Sequence, residues 1–249
     1  MARIKWGKRL LQTSLANSII RLSANFKEYP MKIIGLTGNI ASGKSTVLRM
    51  LRERGAETLD ADKVVHALFA PGTPVTQAIA ATFGEDVLNA DGSVNRKVLG
   101  ARVFSDPDAL RRLEAIVHPA VGRAIEEAIA EARRRPNPPP AFVIEAVKLV
   151  ETGRYRLADS LWLVVADPEV QLQRLMNDRG LSREEALARL QAQPPLEEKR
   201  RLADVIIENN GSLEDLRRQV ETAWQHLMQT PNKEGSTEQC DAFGTNTPT

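Results

Sequence analysis

Between residues 31 and 228, short apolar runs alternate with stretches whose apolar residues recur at helical spacing. Residues 31–37, Met-Lys-Ile-Ile-Gly-Leu-Thr, are strand-sized and mostly apolar. Residues 44–54 follow with Val47, Met50, Leu51 and Arg54 at i, i+3, i+4 and i+7, and Gly55 supplies a C-cap. A short strand over 56–59 ends at Asp60-Ala61-Asp62. Residues 63–135 are mostly helical, with turns at Pro71-Gly72-Thr73-Pro74 and Asp91-Gly92. Ser105-x-x-Asp108 predicts a helix start within that stretch, and the proline-rich run 136–140 is a hard break. Residues 141–147 and 161–166 are apolar without alternation, which predicts strands of a parallel sheet buried on both faces. Asp167 is placed to cap a helix to about Asn177. Ser182-x-x-Glu185 opens another that ends before Pro194-Pro195. A last strand over 205–207 precedes Ser212-x-x-Asp215, which caps a final helix to about Leu227.

Five short strands joined by helical crossovers predict an α/β fold, a doubly wound parallel sheet. In such sheets ligands lie over the carboxyl ends of the strands. The residues after each strand therefore carry the chemistry: Thr37 to Thr46, Asp60 to Asp62, Glu145 to Glu151 and Glu208 to Gly211. The core is expected from 31–62, 141–167 and 203–228. The helical insertions 63–135 and 168–200 are read as an acceptor-binding region and a lid.

The first of those segments is the most informative. Gly38-Asn39-Ile40-Ala41-Ser42-Gly43-Lys44-Ser45-Thr46 matches G-x-x-x-x-G-K-S, directly after a strand and opening a helix. Glycines let the backbone curl so that successive N–H groups point at a polyphosphate, and the helix N-terminus adds positive potential. Lys44 is placed to reach the outer phosphates and Ser45 to hold Mg²⁺, which makes the fold P-loop NTPase-like. Asn39 tolerates left-handed geometry, whereas Ala41 must occupy a position that accepts a Cβ.

Composition narrows the alternatives. The chain has 249 residues, 42% hydrophobic and 27% charged, ordinary for a globular protein with a real core. No apolar run reaches the ~20 residues of a membrane span. The lone Cys240 excludes a disulfide framework and suits a reducing compartment, so a cytoplasmic protein is expected. The net charge of +2 hides an asymmetry: residues 1–30 carry +5 and the remainder −3, which gives no ground for nucleic-acid binding. Residues 1–30 are read as a disordered or mis-assigned extension, with Met31 as the working start. The polar tail 229–249 is read as disordered.

With these residues in view, the chain from Met31 to about Leu227 resembles the dephospho-coenzyme A kinase family. The resemblance rests on Gly35-Leu36-Thr37-Gly38 through Thr46; Asp60-Ala61-Asp62; Pro71-Gly72-x-Pro74 with Phe83-Gly84; Asp91-Gly92 with Val103-Phe104; Leu113-Glu114-x-Ile116-x-His118-Pro119; and Ala203-Asp204-x-Ile206-Ile207-x-Asn209-Asn210-Gly211. Gln171-x-x-Arg174-Leu175, Gln193 and Lys199 add to it. It implies γ-phosphoryl transfer from ATP to the ribose 3′-hydroxyl of dephospho-CoA, the last step of coenzyme A synthesis. It places a hydroxyl-activating aspartate at Asp62, a group beside the acceptor at His118, and adenine contacts at Asn209 and Gly211.

Several residues carry two readings. Asp62 sits where an acceptor hydroxyl meets the phosphates, and also where a cap for the next helix is needed. Asp60 is read as structural or as lying behind a metal. His66 faces the cleft or packs. His118, before Pro119 and between two helices, is either an acceptor contact or a packed residue. Arg174 is expected to reach the transferring phosphoryl from the lid; Arg179 is the lesser candidate, because Asp178 stands where the family commonly has arginine. Lys148 replaces part of a Pro-Leu-Leu-Phe-Glu pattern after the third strand. It contacts a phosphate, or it pairs with Glu145 or Glu151, since burying it unpaired is costly. A different small-molecule kinase, a nucleotide switch and a silent nucleotide-binding module are the competing classes. A monomer is favoured.

Overall fold

The computed structural model describes residues 31–230; the readings for 1–30 and for the tail beyond Thr230 fall outside them. Five parallel strands, β1 (Lys32–Thr37), β2 (Glu57–Asp60), β3 (Ala141–Glu145), β4 (Ser160–Val165) and β5 (Val205–Glu208), lie in the order β2-β3-β1-β4-β5. β1 is central, and the connections after it run first to one side and then to the other. The predicted doubly wound sheet is the observed one.

Alternation along the strands divides the core. Ile33, Phe142, Ile144 and Leu161 face one layer; Ile34, Leu36, Val143, Trp162 and Val164 face the other. The first layer is dominated by α5 (Pro107–Arg134), whose Val117, Val121, Ile125 and Ile129 recur at helical spacing and are buried. The second is covered by α1 (Lys44–Arg52) through Val47, Met50 and Leu51, and by α9 (Leu213–Gln229) through Leu216, Val220 and Leu227. The central strands β1 and β4 are buried throughout, whereas the edge strands β2 and β5 are only partly covered.

The helical region after β2 comprises α2 (Ala61–Leu68), α3 (Pro74–Phe83), α4 (Arg96–Phe104) and α5. The region after β4 comprises α6 (Pro168–Arg179), α7 (Arg183–Gln191) and α8 (Glu197–Leu202). Three expectations are corrected. The cap of α5 is Asp106, which accepts from the N–H groups of Asp108 (2.9 Å) and Ala109 (3.1 Å), while Ser105 closes α4. Pro107, with its φ fixed by the ring, takes the first helical position and moves the cap to the residue before it. Pro119 does not separate two helices: α5 runs through it for 28 residues, held by apolar contacts on both sides of the missing N–H. Asp167 stands at the start of α6 but makes no side-chain cap bond.

Candidate active site

The loop after β1 is shaped by close approaches. A Cβ on Gly38 would lie 2.3 Å from the Val164 carbonyl oxygen, and one on Gly43 would lie 1.9 Å from Asn209 Nδ2. Gly43 also has φ +98°, a region open mainly to glycine. The non-glycine residue with positive φ is Ala41, at +56°. The left-handed position therefore falls on alanine rather than on Asn39. Asn39 instead donates from Nδ2 to the Pro194 carbonyl at 3.3 Å, and the Ile40 N–H donates to Gln193 Oε1 at 3.1 Å. The chain after α7 thus holds the outer side of the loop.

The inner side opens on a cavity of about 510 Å³ walled by Ala41 to Thr46, Glu145, Arg174, Asp178, Arg179, Asn209 and Gly211. The Ser45 hydroxyl belongs to an exposed residue on that wall. Lys44 Nζ donates to the carbonyls of Gly38 (2.8 Å) and Asn39 (3.3 Å). Burial holds the Lys44 ammonium below an ordinary lysine; Glu145 opposes that shift, while Lys199 and Arg179 add to it. Burial likewise pushes Glu145 above an ordinary glutamate. Lys44 opposes this, and Asp60 and Asp62 reinforce it.

The sequence names Glu145 only as the start of the segment after β3 and as a partner for Lys148. Its signal was present: an acid closing an apolar strand, in register with Asp60 at the end of β2. Asp60 is the cap of α2, accepting from the N–H groups of Asp62 (3.0 Å) and Lys63 (3.2 Å). The capping reading of Asp62 is thereby overturned, and its exposed carboxylate stands in the first turn of α2. Asp62 acts electrostatically on both Lys44 and Glu145.

Arg174 does not stand free above the loop. Its Nη1 donates to the carbonyls of Ala41 (3.2 Å) and Ser42 (3.4 Å), and its Nη2 to that of Asn209 (2.9 Å). Asn209 Nδ2 donates to the Ser42 carbonyl at 2.8 Å. Arg174 and Asn209 together fasten the phosphate loop to the segment after β5. Of the two arginines of α6, Arg179 is the one whose charge reaches Lys44.

His66, His118, Lys148 and Asp62 are not among the cavity's walls. His66 is exposed one turn beyond Asp62 on α2. His118 lies on α5 under the influence of Arg154, Glu114 and Lys148. Lys148 is exposed rather than buried, which removes the reason to expect an internal partner. Glu151 pairs instead with Lys199 Nζ at 3.2 Å, and that buried ammonium also donates to the Val147 carbonyl at 2.8 Å. The same carbonyl accepts from Thr37 Oγ1 at 3.1 Å, so the turn after β3 is fixed through its backbone.

The arrangement is a phosphate cradle with the cationic side chains of Lys44, Arg174 and Arg179 and the carboxyl groups of Glu145 and Asp178 on its walls. Among the described residues, no three His, Cys, Asp or Glu side chains are grouped to hold a metal. A hard cation there would depend on Ser45 and on the nucleotide's own oxygens, which is the ligand chemistry Mg²⁺ takes. No helix among the described residues is long and apolar enough to cross a membrane.

Known proteins match this chain closely. A family model described as dephospho-CoA kinase matches residues 32–215. A dephospho-CoA kinase of Symbiobacterium thermophilum is 53% identical over 194 residues, spanning 78% of this chain and 80% of that protein. One from Geobacter metallireducens is 46% identical over 199 residues, spanning 80% of this chain and 98% of that protein. A solved structure from Thermus thermophilus is 38% identical with a TM-score of 0.61, covering 79% of this chain and 98% of its own. The solved dephospho-CoA kinase from Campylobacter jejuni is 27% identical with a TM-score of 0.51, covering 79% of this chain and 97% of its own.

Proposed function

The chain belongs to the dephospho-CoA kinase family, and from that premise we propose how its residues divide the work of phosphorylating the ribose 3′-hydroxyl of dephospho-CoA with ATP. The products are coenzyme A and ADP. The observation that carries the reading is the field shared by Asp62, Glu145 and Lys44 at the carboxyl edge of β1, β2 and β3.

The loop amides and Lys44 bind the β- and γ-phosphates, and Asn209 and Gly211 bound the adenine end of the cavity. Ser45 is the residue that would hold Mg²⁺, which when bound neutralises charge on the phosphate oxygens. Asp62 accepts a hydrogen bond from the 3′-hydroxyl, aligns its oxygen with the γ-phosphorus and takes its proton as the new O–P bond forms. The bond from the γ-phosphorus to the bridging oxygen breaks, and ADP leaves. A loose transition state asks for alignment and charge neutralisation more than for a strong base, so an exposed aspartate suffices. Arg179 lies close enough to Lys44 to stabilise charge on the transferring group, and Arg174 keeps the cradle in shape. His66, His118 and Lys148 lie on the acceptor's side. On this reading the active unit is a monomer working in the cytoplasm.

The test is ADP formation by the purified protein with Mg²⁺ and ATP, comparing dephospho-CoA with AMP and adenosine as acceptors. Turnover confined to dephospho-CoA is expected. Equal turnover of AMP would move the chain to nucleoside monophosphate chemistry.

A further inference from the structure

The cavity and its neighbourhood divide along the sheet. The donor's cradle is walled mainly by the segments after β1, β4 and β5, with Glu145 at the end of β3 as its border toward the other half. The strand order places β3 and β2 on the other half, and Asp62 follows β2. An acceptor reaching Asp62 therefore lies over β2 and β3, on the turn that follows β3 and the helix α5 that packs beneath it.

That turn is compact. The Lys148 carbonyl accepts from the Thr152 N–H (3.1 Å) and Thr152 Oγ1 (2.8 Å), the Gly153 N–H donates to the Val150 carbonyl, and the Tyr155 N–H donates to that of Leu149. Gly153, at φ +71°, turns the chain so that Arg154 follows directly. Arg154 Nη2 donates to the His118 carbonyl at 3.4 Å, which joins the turn to α5. Lys148 and Arg154 both stand near His118. Arg156, two residues on, is stacked over Tyr155 at 5.0 Å and takes no part.

The charge of this group is unbalanced. Arg154 is partly buried, and among the described residues it has no carboxylate partner. Lys148 has none either, because Glu151 is held by Lys199. Among the described residues, Glu114 is the one acid that acts on His118. Burial, Arg154 and Lys148 hold His118 below an ordinary histidine, against Glu114. A partly buried guanidinium beside an ammonium and an imidazole, with Glu114 as the one carboxylate nearby, keeps an excess of positive charge and is a site for a small polyanion.

We infer that Arg154, Lys148 and His118 form the subsite for the diphosphate of the acceptor. The assignment rests on dephospho-CoA being the acceptor, since its one anionic group is the diphosphate that follows the ribose carrying the reacting hydroxyl. Arg154 supplies the directional donors and Lys148 an exposed charge at the entrance. Selection of dephospho-CoA over plain adenosine is thereby built into the turn after β3 rather than into the phosphate loop.

Binding calorimetry without turnover tests this, on the full chain and on two variants, Lys148→Glu and Arg154→Met/Lys148→Met. Charge-assisted contacts of this kind are worth ~1.5–3 kcal/mol, so the double variant should bind dephospho-CoA roughly tenfold or more weakly. Its affinity for adenosine and for a non-hydrolysable ATP analogue should stay as in the unaltered protein. Unchanged ATP-analogue binding also shows that the variants fold. Lys148→Glu, at an exposed position, should weaken dephospho-CoA and spare adenosine. Parallel losses for dephospho-CoA and adenosine, or no loss for either, overturn the subsite. A second arm separates it from the kinase reading. With the phosphate loop filled by the ATP analogue, inorganic diphosphate should bind the unaltered protein and fail to bind the double variant, whatever the turnover assay shows. Equal binding to both overturns the proposal, whereas absence of dephospho-CoA turnover in the unaltered protein overturns the kinase reading alone.

Discussion

At the scale of single residues, the chemistry turns on three charges that do not rest at their ordinary values or in their expected partnerships. Asp62 is relieved of capping because Asp60 takes both N–H groups at the start of α2. Replacing Asp62 by Asn keeps the shape and removes the proton acceptor, so kcat should fall by roughly 10²–10⁴ while KM for ATP is unchanged. Near-normal kcat in steady-state assays would end its role as base. Lys44 and Glu145 are costly in another way. Burial disfavours the charge on each, and their mutual attraction offsets this only in part. Glu145 has a raised pKa, so its contribution to stability is full below the ordinary carboxylate range and is lost as pH rises through its own value. Lys44 has a lowered pKa, so its contribution is present above the ordinary lysine range and is lost as pH falls through its own value. In the pH range where both groups are charged, both costs are in force. The pair Lys44→Met/Glu145→Gln should therefore be inactive and melt a few degrees above the unaltered protein. Lowering the pH through the raised pKa of Glu145 should narrow that gap. A double variant that melts lower at pH 7 would show that attraction across the pair outweighs burial.

At the scale of elements, capping separates what holds the body from what holds the lid. Both α7 and α9 begin with a reciprocal box, Ser182 with Glu185 and Ser212 with Asp215. Loss of such a cap costs ~1 kcal/mol. α9 packs on the sheet through Leu216, Val220 and Leu227. α6 and α7 instead share a small apolar cluster of Leu172, Leu175 and Ala186. Ser212→Ala should lower the melting temperature of the whole protein. Ser182→Ala should chiefly speed amide exchange within α6 and α7, a difference that thermal melts and exchange mapping read directly. Equal effects on melting would mean that the lid unfolds only with the core. These boxes were legible in the sequence because a cap is local, and so were the loop spacing and the buried strands. Pro119 was misread because tertiary packing of Val117 and Val121 outweighs a local breaker. Asp106 was missed for Ser105 because Pro107 fixes the first helical position. Glu145, Arg174 and Lys199 could not be read in full, since their partners lie 35 to 133 residues away along the chain.

At the scale of the whole molecule, the lid and the phosphate loop behave as one body. The lid's apolar cluster packs on Ile40 and Ala41 of the loop. Gln193 accepts from the Ile40 N–H, the Pro194 carbonyl accepts from Asn39, and Arg174 donates to the carbonyls of Ala41 and Ser42. A ligand that orders the loop should therefore order α6 and α7, because the two share these contacts and, among the described residues, the apolar cluster that holds α6 to α7 is this small one. Gln193 is the most separable of the links, reaching the loop through one side-chain oxygen. In the unaltered protein, a bound ATP analogue should slow amide exchange in α6 and α7 more than in α9. Gln193→Ala should reduce that protection and raise KM for ATP several-fold, and Gln193→Glu, which keeps an acceptor at the same reach, should restore much of it. If ATP protects the lid equally in all three proteins, the coupling runs through Arg174 and the apolar cluster alone, and the oxygen of Gln193 is incidental to it.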